Sequence, residues 1–234
     1  MKFGVVVFPG SNCDDDMMHV LGNVLGADVR KLWHKDTSFE GFTSEDCIVL
    51  PGGFSYGDYL RAGAIARFSP IMQSVIRFAN DGGKVWGICN GFQILCECGL
   101  LPGVLVRNQD QKFISKNIHL RVETTNSQIT HLAGDGQILK MPIAHAEGRY
   151  IPDAAGIEDL VLHDQILFRY CTIEGKPFSD NGSTDDIAGI CNRDRNVFGM
   201  MPHPERASEE VLGNTDGLIL FKSIYSEATT FATV

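Results

Sequence analysis

A cysteine held between two glycines, in the run Gly87-Ile88-Cys89-Asn90-Gly91, is the segment of the sequence best suited to chemistry. An apolar, β-prone run over 84–88 leads into the cysteine, and apolar residues at helical spacing follow it. Such a strand-to-helix turn is the thiol version of the nucleophile elbow, which needs glycines because the turn is tight. We therefore predict that Cys89 is a nucleophile. Taken alone, the motif also fits a buried structural cysteine in an ordinary turn.

A histidine and a glutamate two residues apart, His203 and Glu205, are the predicted base and its orienting acid. Pro202 and Pro204 exclude a helix, so this segment is predicted to be extended. Side chains at i and i+2 of an extended chain point to the same side, so Glu205 would hold one ring nitrogen of His203 while the other faces the thiol. The sequence thus predicts a triad of Cys89, His203 and Glu205. For His203 alone, the alternative is a solvated histidine in a surface loop.

Paired glycines after another apolar run, 48–50, are the predicted remainder of the catalytic site. An elbow hydrolase stabilises its oxyanion with the N–H of the residue after the nucleophile and with one N–H from a neighbouring strand–helix loop. Asn90 would supply the first donor, and Gly52 or Gly53 the second. A strand-ending turn without chemistry is the alternative for the paired glycines alone.

The order of apolar and helical patterns predicts the architecture. We expect strands at 2–8, 28–34, 47–50 and 84–88, and helices at 14–25 and 70–80. This alternation favours an α/β fold, a doubly wound and mainly parallel sheet whose site lies at the carboxyl ends of the strands. Runs at 113–123, 138–144, 160–170 and 187–191 lack helices between them and predict a mainly antiparallel extension, closed by a helix at 215–228. No linker divides the chain, so we predict one domain over 1–234.

Composition narrows the class of protein. A net charge of −9 over 234 residues argues against nucleic acid or an anionic membrane as a partner. The first apolar run, 5–8, is too short for a signal segment, and a cytoplasmic location is expected. Seven cysteines in no disulfide-like spacing fit a reducing compartment. Cys96 and Cys98 lack partners at zinc spacing, so we predict no metal site and treat both as small apolar residues.

Two further segments are predicted to be structural. Ser11 or Asn12 would cap the first helix, whose acidic start over 14–16 would repel a phosphate and argues against nucleotide binding there. Asp58 and Arg61 are predicted to form a solvated ion pair.

Three runs together carry a family resemblance: the elbow over 87–93, the glycine-rich run over 51–63 and the Met-Pro-His-Pro-Glu-Arg run over 201–206. They resemble the class I, or triad-type, glutamine amidotransferases, which implies a flavodoxin-like sheet. The run over 51–63 is most similar to the glutaminase subunits of phosphoribosylformylglycinamidine synthase. The resemblance extends from about residue 3 to 206, and the chain departs from the family pattern at 179–183.

The resemblance implies a reaction and a set of partners. A protein of this family hydrolyses L-glutamine to glutamate and ammonia through a Cys-His-Glu triad. The ammonia then passes to a separate ATP-dependent synthetase subunit, which converts formylglycinamide ribonucleotide to formylglycinamidine ribonucleotide in de novo purine biosynthesis. The implied partners are this large synthetase subunit and a small third subunit. ATP and Mg are expected on the synthetase subunit, with no cofactor on this chain.

The resemblance also implies a glutamine pocket. Gln93 would hold the amino-acid end of glutamine, together with backbone at Ala144, His145 and Ala146. The further pocket-lining positions are Asn108 and Phe113, and the family places the run over 51–63 near the synthetase interface. Each of two residues has an alternative: Gln93 as a solvated helix residue, and His145 as a strand-end histidine paired with Glu147.

Two other functions remain open from the residues. One is a different elbow-cysteine hydrolase on the same scaffold, such as a cysteine peptidase, which a glutamine-dependent glutamate assay would separate. The other is a non-catalytic regulatory subunit, against which the intact triad argues.

Overall fold

One mixed sheet runs through the protein. The structure is a computed structural model that describes residues 1–226. Within these residues nine strands form the sheet in the order β2-β1-β3-β4-β11-β10-β9-β6-β7, and β5 and β8 form a separate pair. The strands are β1 Lys2–Val7, β2 Asp28–Trp33, β3 Cys47–Leu50, β4 Lys84–Ile88, β5 Val104–Val106, β6 Ile114–Val122, β7 Ile138–His145, β8 Arg149–Ile151, β9 Ile166–Cys171, β10 Ile187–Cys191 and β11 Val197–Met200. The α-helices are α1 Asp14–His19, α2 Pro70–Asn80, α3 Asn90–Glu97, α4 Gly156–Leu162 and α5 Leu218–Tyr225.

The first half of the sheet is parallel, as predicted. β1 pairs in parallel with β2 and β3, and β4 pairs in parallel with β3 and with β11. Strands such as β3 and β4 read as continuous apolar runs because helices cover both faces of a parallel sheet. The carboxyl ends of β3, β4 and β11 therefore lie side by side, which brings Pro51, Cys89 and Met201 to one edge.

The second half is antiparallel, which was also predicted. β10 pairs antiparallel with β11 and β9, and β6 pairs antiparallel with β9 and β7. The far end of this extension returns to the parallel half, since the His203 amide donates to the Pro142 carbonyl of β7 at 2.9 Å. The carbonyl of Ala144, also in β7, lies 3.8 Å from the Cys89 sulfur. The extension therefore supplies one wall of the edge at which β3, β4 and β11 end.

Some local predictions were wrong. The run 160–170 is not one strand: α4 ends at Leu162, and β9 starts at Ile166 after a turn at Asp164, whose φ is 50°. The first helix continues as a π-helix over Val20–Val24. Its N-cap residue is Cys13, with no side-chain cap, because the Ser11 hydroxyl accepts the Phe8 amide instead.

The last described helix, α5, starts at Leu218. α5 ends at Tyr225, and the part of the predicted helix beyond residue 226 lies outside the described residues. Among the residues described, no helix has the length and apolarity needed to cross a membrane. The single domain over 1–234 stays a prediction.

We expect Gly91→Ala to destabilise the fold. A Cβ at Gly91 would overlap the Leu50 carbonyl oxygen at the end of β3, so α3 would have to move away from the sheet. Overpacking of this kind costs about 3 kcal/mol of unfolding free energy. Urea unfolding measures the change, with Gly134→Ala as the control, because the nearest atom to a Cβ there is 3.6 Å away. Equal unfolding midpoints for the two variants would contradict the close approach of α3 and β3.

Candidate active site

Cys89 lies in the strained strand-to-helix turn that the sequence predicted. It follows β4 and precedes α3, with φ 51° and ψ −105°, a backbone conformation that side-chain-bearing residues rarely adopt. Its amide donates to the Met200 carbonyl at 2.8 Å, and its carbonyl accepts the Gln93 amide at 3.1 Å. The adjacent strand β11 and the first turn of α3 therefore both hold Cys89 in place. The side chain is buried, and its thiol donates to the Ala144 carbonyl at 3.8 Å.

His203 and Glu205 form a buried pair beside this turn. Nδ1 of His203 lies 2.6 Å from Oε1 of Glu205, and both side chains are buried. The predicted reason for the pairing was wrong: His203 is extended, but Pro204–Arg206 form a 3-10 turn, and this turn brings the carboxylate back to the ring. The pair forms although the two side chains do not follow the i, i+2 geometry of a strand.

The charge on His203 is set by opposing effects. Burial lowers the pKa of His203, but the Glu205 carboxylate and the nearby Cys89 and Cys13 sulfurs more than offset it, so the pKa lies well above its usual value. Nδ1 is occupied by Glu205, while Nε2 is buried with no hydrogen-bond partner among the described residues. His203 and Cys89 line the same cavity of about 130 Å³. Nε2 is therefore the atom available for proton exchange with the thiol.

A second thiol beside His203 was missed from the sequence. The sulfur of Cys13, a Nδ1 or Nε2 atom of His203 and a carboxylate oxygen of Glu205 all lie within 4.8 Å of one another. The Arg206 guanidinium donates to the Cys13 sulfur at 3.1 Å. Metal binding here would compete with this cation and with the His203–Glu205 bond, and the absence of a metal site stays a prediction. The only signal in the sequence was that Cys13 follows the carboxyl end of β1.

The two candidate glycines differ in position. Gly53 lines the cavity of about 130 Å³ and also a second, larger cavity that contains Cys89. A Cβ at Gly52 would instead lie 2.6 Å from Cε1 of His203 and 3.0 Å from the Cys13 sulfur. Gly53 has φ 147°, and a Cβ there would meet backbone of Ser11 at 2.7 Å. Gly53 is thus the better placed of the two for an oxyanion donor, and Gly52 provides room for the His203 ring.

Asn90 begins α3 directly after the thiol, so its amide lies at the helix N-terminus. Its side chain connects two parts of the site, since Oδ1 accepts the Ser55 amide at 3.1 Å and Nδ2 donates to Oε1 of Gln93 at 2.9 Å. The stabilisation of an oxyanion by the amides of Asn90 and Gly53 or Gly52 stays a prediction.

A larger cavity of about 230 Å³ adjoins the thiol. It brings together four of the predicted pocket residues, and it adds three charged residues that the sequence did not assign to the pocket. The predicted members are Gln93, Ala144, His145 and Ala146, and the added ones are Asp58, Arg107 and Glu147. The volume suits a ligand of amino-acid size better than a drug-sized one.

Gln93 is buried, so its interpretation as a solvated helix residue was wrong. Nε2 donates to the Glu147 carbonyl at 2.6 Å, and Oε1 accepts from Asn90. Gln93 therefore fixes the wall of the cavity around Glu147 while it lines the cavity itself.

Asn108 does not line either cavity containing Cys89, in contrast to the prediction. It is fully buried, and Nδ2 donates to the carbonyls of Lys112 and His145 at 2.8 and 2.9 Å. Oδ1 accepts from the Gly148 amide at 3.0 Å and lies 3.1 Å from Nδ1 of His145. All its polar atoms are used to hold the segment after β7, so Asn108 supports the cavity wall from behind.

His145 pairs with Asn108 and not with Glu147, so the alternative of a His145–Glu147 pair was wrong. Burial, with a smaller effect of His203, lowers the pKa of His145 to about 4, and the ring is neutral at pH 7. Phe113 was predicted to line the pocket. It lines the smaller cavity with Cys89 and stacks beside Phe54 at a centroid distance of 6.3 Å.

Asp58 and Arg61 are not an ion pair. Arg61 binds Glu97 through two hydrogen bonds of 2.5 and 2.8 Å. Asp58 turns inward instead, and its Oδ1 lies 3.4 Å from Nδ2 of Asn90. Burial, followed by the charge of Glu147, raises the pKa of Asp58 to about 6.

The loop that carries Asp58 exposes apolar residues on its outer side. Tyr59 is 74% and Leu60 is 91% exposed. Tyr56 differs from them, because its hydroxyl bonds to His34 at 2.7 Å and to Ser69 at 2.8 Å. The loop therefore has an inner side at the cavity and an outer side of uncovered apolar surface.

The segment that departs from the family pattern supports the same wall. Nδ2 of Asn181 donates to the Gly148 carbonyl at 2.9 Å, next to the residues held by Asn108. Asp180 forms an ion pair with Lys116 at 2.5 Å. The departure at 179–183 thus leaves a direct bond to the loop after β7 in place.

Known proteins resemble the chain over almost its whole length. The profile of the CobB/CobQ-like glutamine amidotransferase domain matches residues 1–218. The chain is 56% identical to phosphoribosylformylglycinamidine synthase subunit PurQ of Moorella thermoacetica, over 96% of this chain and 95% of the relative. The chain belongs to this glutamine amidotransferase family.

Other members agree with this assignment. The subunit PurQ of Nostoc sp. is 53% identical, over 99% of this chain and all of the relative. A solved structure, PurLQS from Thermotoga maritima, has a TM-score of 0.85 and 42% identity and covers 95% of this chain and 96% of its own. The predicted family and the predicted α/β fold with its antiparallel extension are both confirmed.

Proposed function

We propose that this chain is the glutaminase subunit of a phosphoribosylformylglycinamidine synthase. It hydrolyses L-glutamine to glutamate and ammonia and supplies the ammonia to a separate synthetase subunit. The observation that carries the proposal is the buried His203–Glu205 pair, 2.6 Å apart, whose His203 lines the same cavity as the strained Cys89. The names of the relatives support the choice of acceptor reaction.

The first half of the reaction releases ammonia. The Cys89 thiolate attacks the carboxamide carbon, and the carbonyl oxygen becomes an oxyanion that the amides of Asn90 and Gly53, or Gly52, stabilise. Protonated His203 then gives its Nε2 proton to the departing nitrogen, so the C–N bond breaks and ammonia leaves. The raised pKa of His203 suits this step, because it keeps the ring protonated beside the thiolate.

The second half restores the enzyme. Neutral His203 takes a proton from water, and the hydroxide attacks the glutamyl thioester. The C–S bond breaks, glutamate leaves, and Cys89 is again a thiolate beside protonated His203. Glu205 keeps the ring oriented through Nδ1 in both halves.

The reaction needs partners. The Thermotoga maritima structure is named PurLQS, a name with three components, and we propose that this chain likewise works with a large synthetase subunit and a small third subunit. ATP and Mg act on the synthetase subunit, and this chain carries no cofactor. The complex converts formylglycinamide ribonucleotide to formylglycinamidine ribonucleotide in de novo purine biosynthesis, in the cytoplasm and without a nucleic acid or membrane partner.

We expect the isolated chain to release glutamate at least about a hundredfold more slowly than the assembled synthase, since one misplaced oxyanion donor costs that much. The loop that carries Gly53 continues into the exposed Tyr59 and Leu60. A partner docked on Tyr59 and Leu60 would therefore also fix the position of the Gly53 amide. The measurement is glutamate release by the chain alone and with the other two subunits, ATP and the ribonucleotide.

The two arms of this experiment separate two ideas. Full turnover by the isolated chain would contradict the activation by partners and leave the glutaminase in place. No glutamine hydrolysis in the assembled complex, under conditions in which added ammonia supports the synthetase, would contradict the proposed function.

A further inference from the structure

A second buried thiol lies beside the catalytic pair. The sulfur of Cys13, one ring nitrogen of His203 and a carboxylate oxygen of Glu205 are all within 4.8 Å of one another. Cys13 also lines the cavity of about 130 Å³ that contains Cys89. The proposed reaction uses Cys89, His203 and Glu205 and leaves Cys13 without a role.

The backbone around Cys13 holds its sulfur at this position. Cys13 precedes α1, its amide donates to the Gly52 carbonyl at 3.3 Å, and its own carbonyl accepts the Met17 amide at 3.0 Å. A Cβ at Gly52 would lie 3.0 Å from the Cys13 sulfur and 2.6 Å from Cε1 of His203. The absence of a side chain at Gly52 therefore leaves the space in which the sulfur and the ring approach each other.

The polar contacts of the Cys13 thiol fix its donor and acceptor roles. The thiol donates to Oδ1 of Asn12 at 3.3 Å, so its one hydrogen is used there. A guanidinium can only donate, and Nη2 of Arg206 lies 3.1 Å from the sulfur. The sulfur therefore offers lone pairs, and not a proton, to Arg206 and to the His203 ring.

Arg206 is itself held by a carboxylate. Its Nε donates to Oδ2 of Asp16, in α1, at 3.1 Å. Arg206 ends the 3-10 turn over Pro204–Arg206, which carries Glu205. The contacts of Asp16, Arg206 and Cys13 therefore connect α1 to this turn and fix the sulfur relative to it.

One hydrogen bond holds the His203 ring. Its Nδ1 binds Oε1 of Glu205, and its Nε2 has no hydrogen-bond partner in residues 1–226. A single hydrogen bond lets an imidazole tilt about that bond, whereas proton transfer needs Nε2 within hydrogen-bond reach of the reacting atoms. The Cys13 sulfur beside the same ring supplies a second restraint.

We propose that Cys13 is a positioning residue, whose sulfur, held by Arg206, keeps the His203 imidazole oriented with Nε2 toward the nucleophile. The proposal rests on the proposed glutaminase function and adds a fourth side chain to its machinery. The same contact acts on the charge of the ring. Burial lowers the pKa of His203, and the Glu205 carboxylate raises it most. The sulfurs of Cys89 and Cys13 add to the increase.

The experiment compares three single variants in the assembled synthase. Cys13→Ala removes the sulfur, Cys13→Ser restores a group that both donates and accepts, and Cys47→Ala removes an equally buried thiol from β3. We expect Cys13→Ala to lower kcat for glutamine about tenfold with KM within about twofold, because a tilted ring is a poorer proton donor to bound substrate. Cys13→Ser should stay within about threefold of wild type, and Cys47→Ala should keep the wild-type kcat.

Urea unfolding of the same variants measures the loss of packing separately. A purely structural role predicts that turnover follows stability, so Cys13→Ala and Cys47→Ala would lose turnover alike. A positioning role predicts that only the change at Cys13 lowers kcat, and that serine restores it.

The pH profile is a readout that packing alone does not move. Removal of the Cys13 sulfur lowers the pKa of His203, so the ring loses its proton at lower pH. In Cys13→Ala the limb of the profile governed by this step should move toward lower pH by about one pH unit. Cys13→Ser should lie between this variant and wild type. The titratable and charged groups around His203 are Cys13, Cys89, His145, Glu205 and Arg206.

Arg206→Met tests the connection through the guanidinium, because it keeps the thiol and removes its donor. This variant should lower kcat, and its combination with Cys13→Ala should add no further loss, since Arg206 acts through the sulfur. If Cys13→Ala fails to fold, a wild-type kcat in Arg206→Met still overturns the proposal.

The outcomes separate this proposal from the proposed function. A wild-type kcat and an unshifted profile in Cys13→Ala would overturn the positioning role and leave the glutaminase in place. Equal losses in Cys13→Ala and Cys13→Ser, or in Cys13→Ala and Cys47→Ala, would also overturn it, since they indicate packing. If the wild-type complex uses added ammonia but hydrolyses no glutamine, the glutaminase function fails, and the positioning role fails with it.

Discussion

Replacement of Cys89 by alanine is expected to reduce glutamine hydrolysis by about 10⁴-fold or more, the scale on which loss of a triad nucleophile acts. The thiol is the group that forms the covalent intermediate, and no second thiol lies in the strained turn over 87–91. The assembled synthase should nevertheless work with added ammonia, because the acceptor chemistry belongs to another subunit. Glutamate release and ammonia-dependent product formation are measured on the same preparation.

Other cysteines provide the control for this variant. Cys96→Ala, seven residues further on and in α3, should retain glutaminase activity apart from losses of stability. Cys13→Ala is not a neutral control, because Cys13 packs beside His203 and accepts from Arg206. Substantial glutamine turnover in a verified Cys89→Ala protein would remove the elbow from the mechanism.

A graded loss is expected from the other two triad positions. His203→Ala should cost about 10³-fold or more in turnover, because His203 is the group that protonates the departing nitrogen in the proposed mechanism. Glu205→Gln should cost less, about tenfold to a hundredfold, since Glu205 acts through the imidazole. The buried 2.6 Å bond to Nδ1 is what this second variant weakens.

The pH profile tests the reason for this gradation. Glu205 raises the pKa of His203 against the effect of burial, so Glu205→Gln should lower that pKa. A smaller fraction of His203 is then protonated at a given pH, and the limb of the profile governed by His203 moves toward lower pH. A variant with wild-type turnover and an unshifted profile would make Glu205 a bystander.

Local sequence signals predicted the elements around the site well. The strands at 47–50 and 84–88 and the helix at 70–80 have the predicted bounds, because each is an apolar or amphipathic run bounded by glycine or proline. The strand predicted at 160–170 failed for the opposite reason. Its first three residues, 160–162, are consecutive apolar residues that form the end of α4, and periodicity alone does not separate helix from strand in a short apolar run.

The side-chain partners were less predictable, because they depend on contacts between distant segments. Arg61 binds Glu97 and leaves Asp58 to the cavity, a choice that no spacing within 51–63 could indicate. Asn108 likewise acts from behind the wall, since its partners come from the loop after β7. Cys13 and His203 are 190 residues apart in sequence, and β3 and β4 lie between the strands that precede them, β1 and β11.

The place of β11 in the sheet has a consequence for how the protein is made. β11 is the last strand within residues 1–226, yet it lies between β4 and β10, and its Met200 carbonyl accepts the amide of the nucleophile. A nascent chain whose residues 197–206 have not yet left the ribosome therefore has the Cys89 thiol but not His203, and β4 has an open, apolar edge. Such edges pair with other chains, and long-range strand insertion of this kind is slow. The growing chain therefore cannot hydrolyse glutamine before β11 is in place. Aggregation is favoured in the interval between synthesis of β4 and insertion of β11.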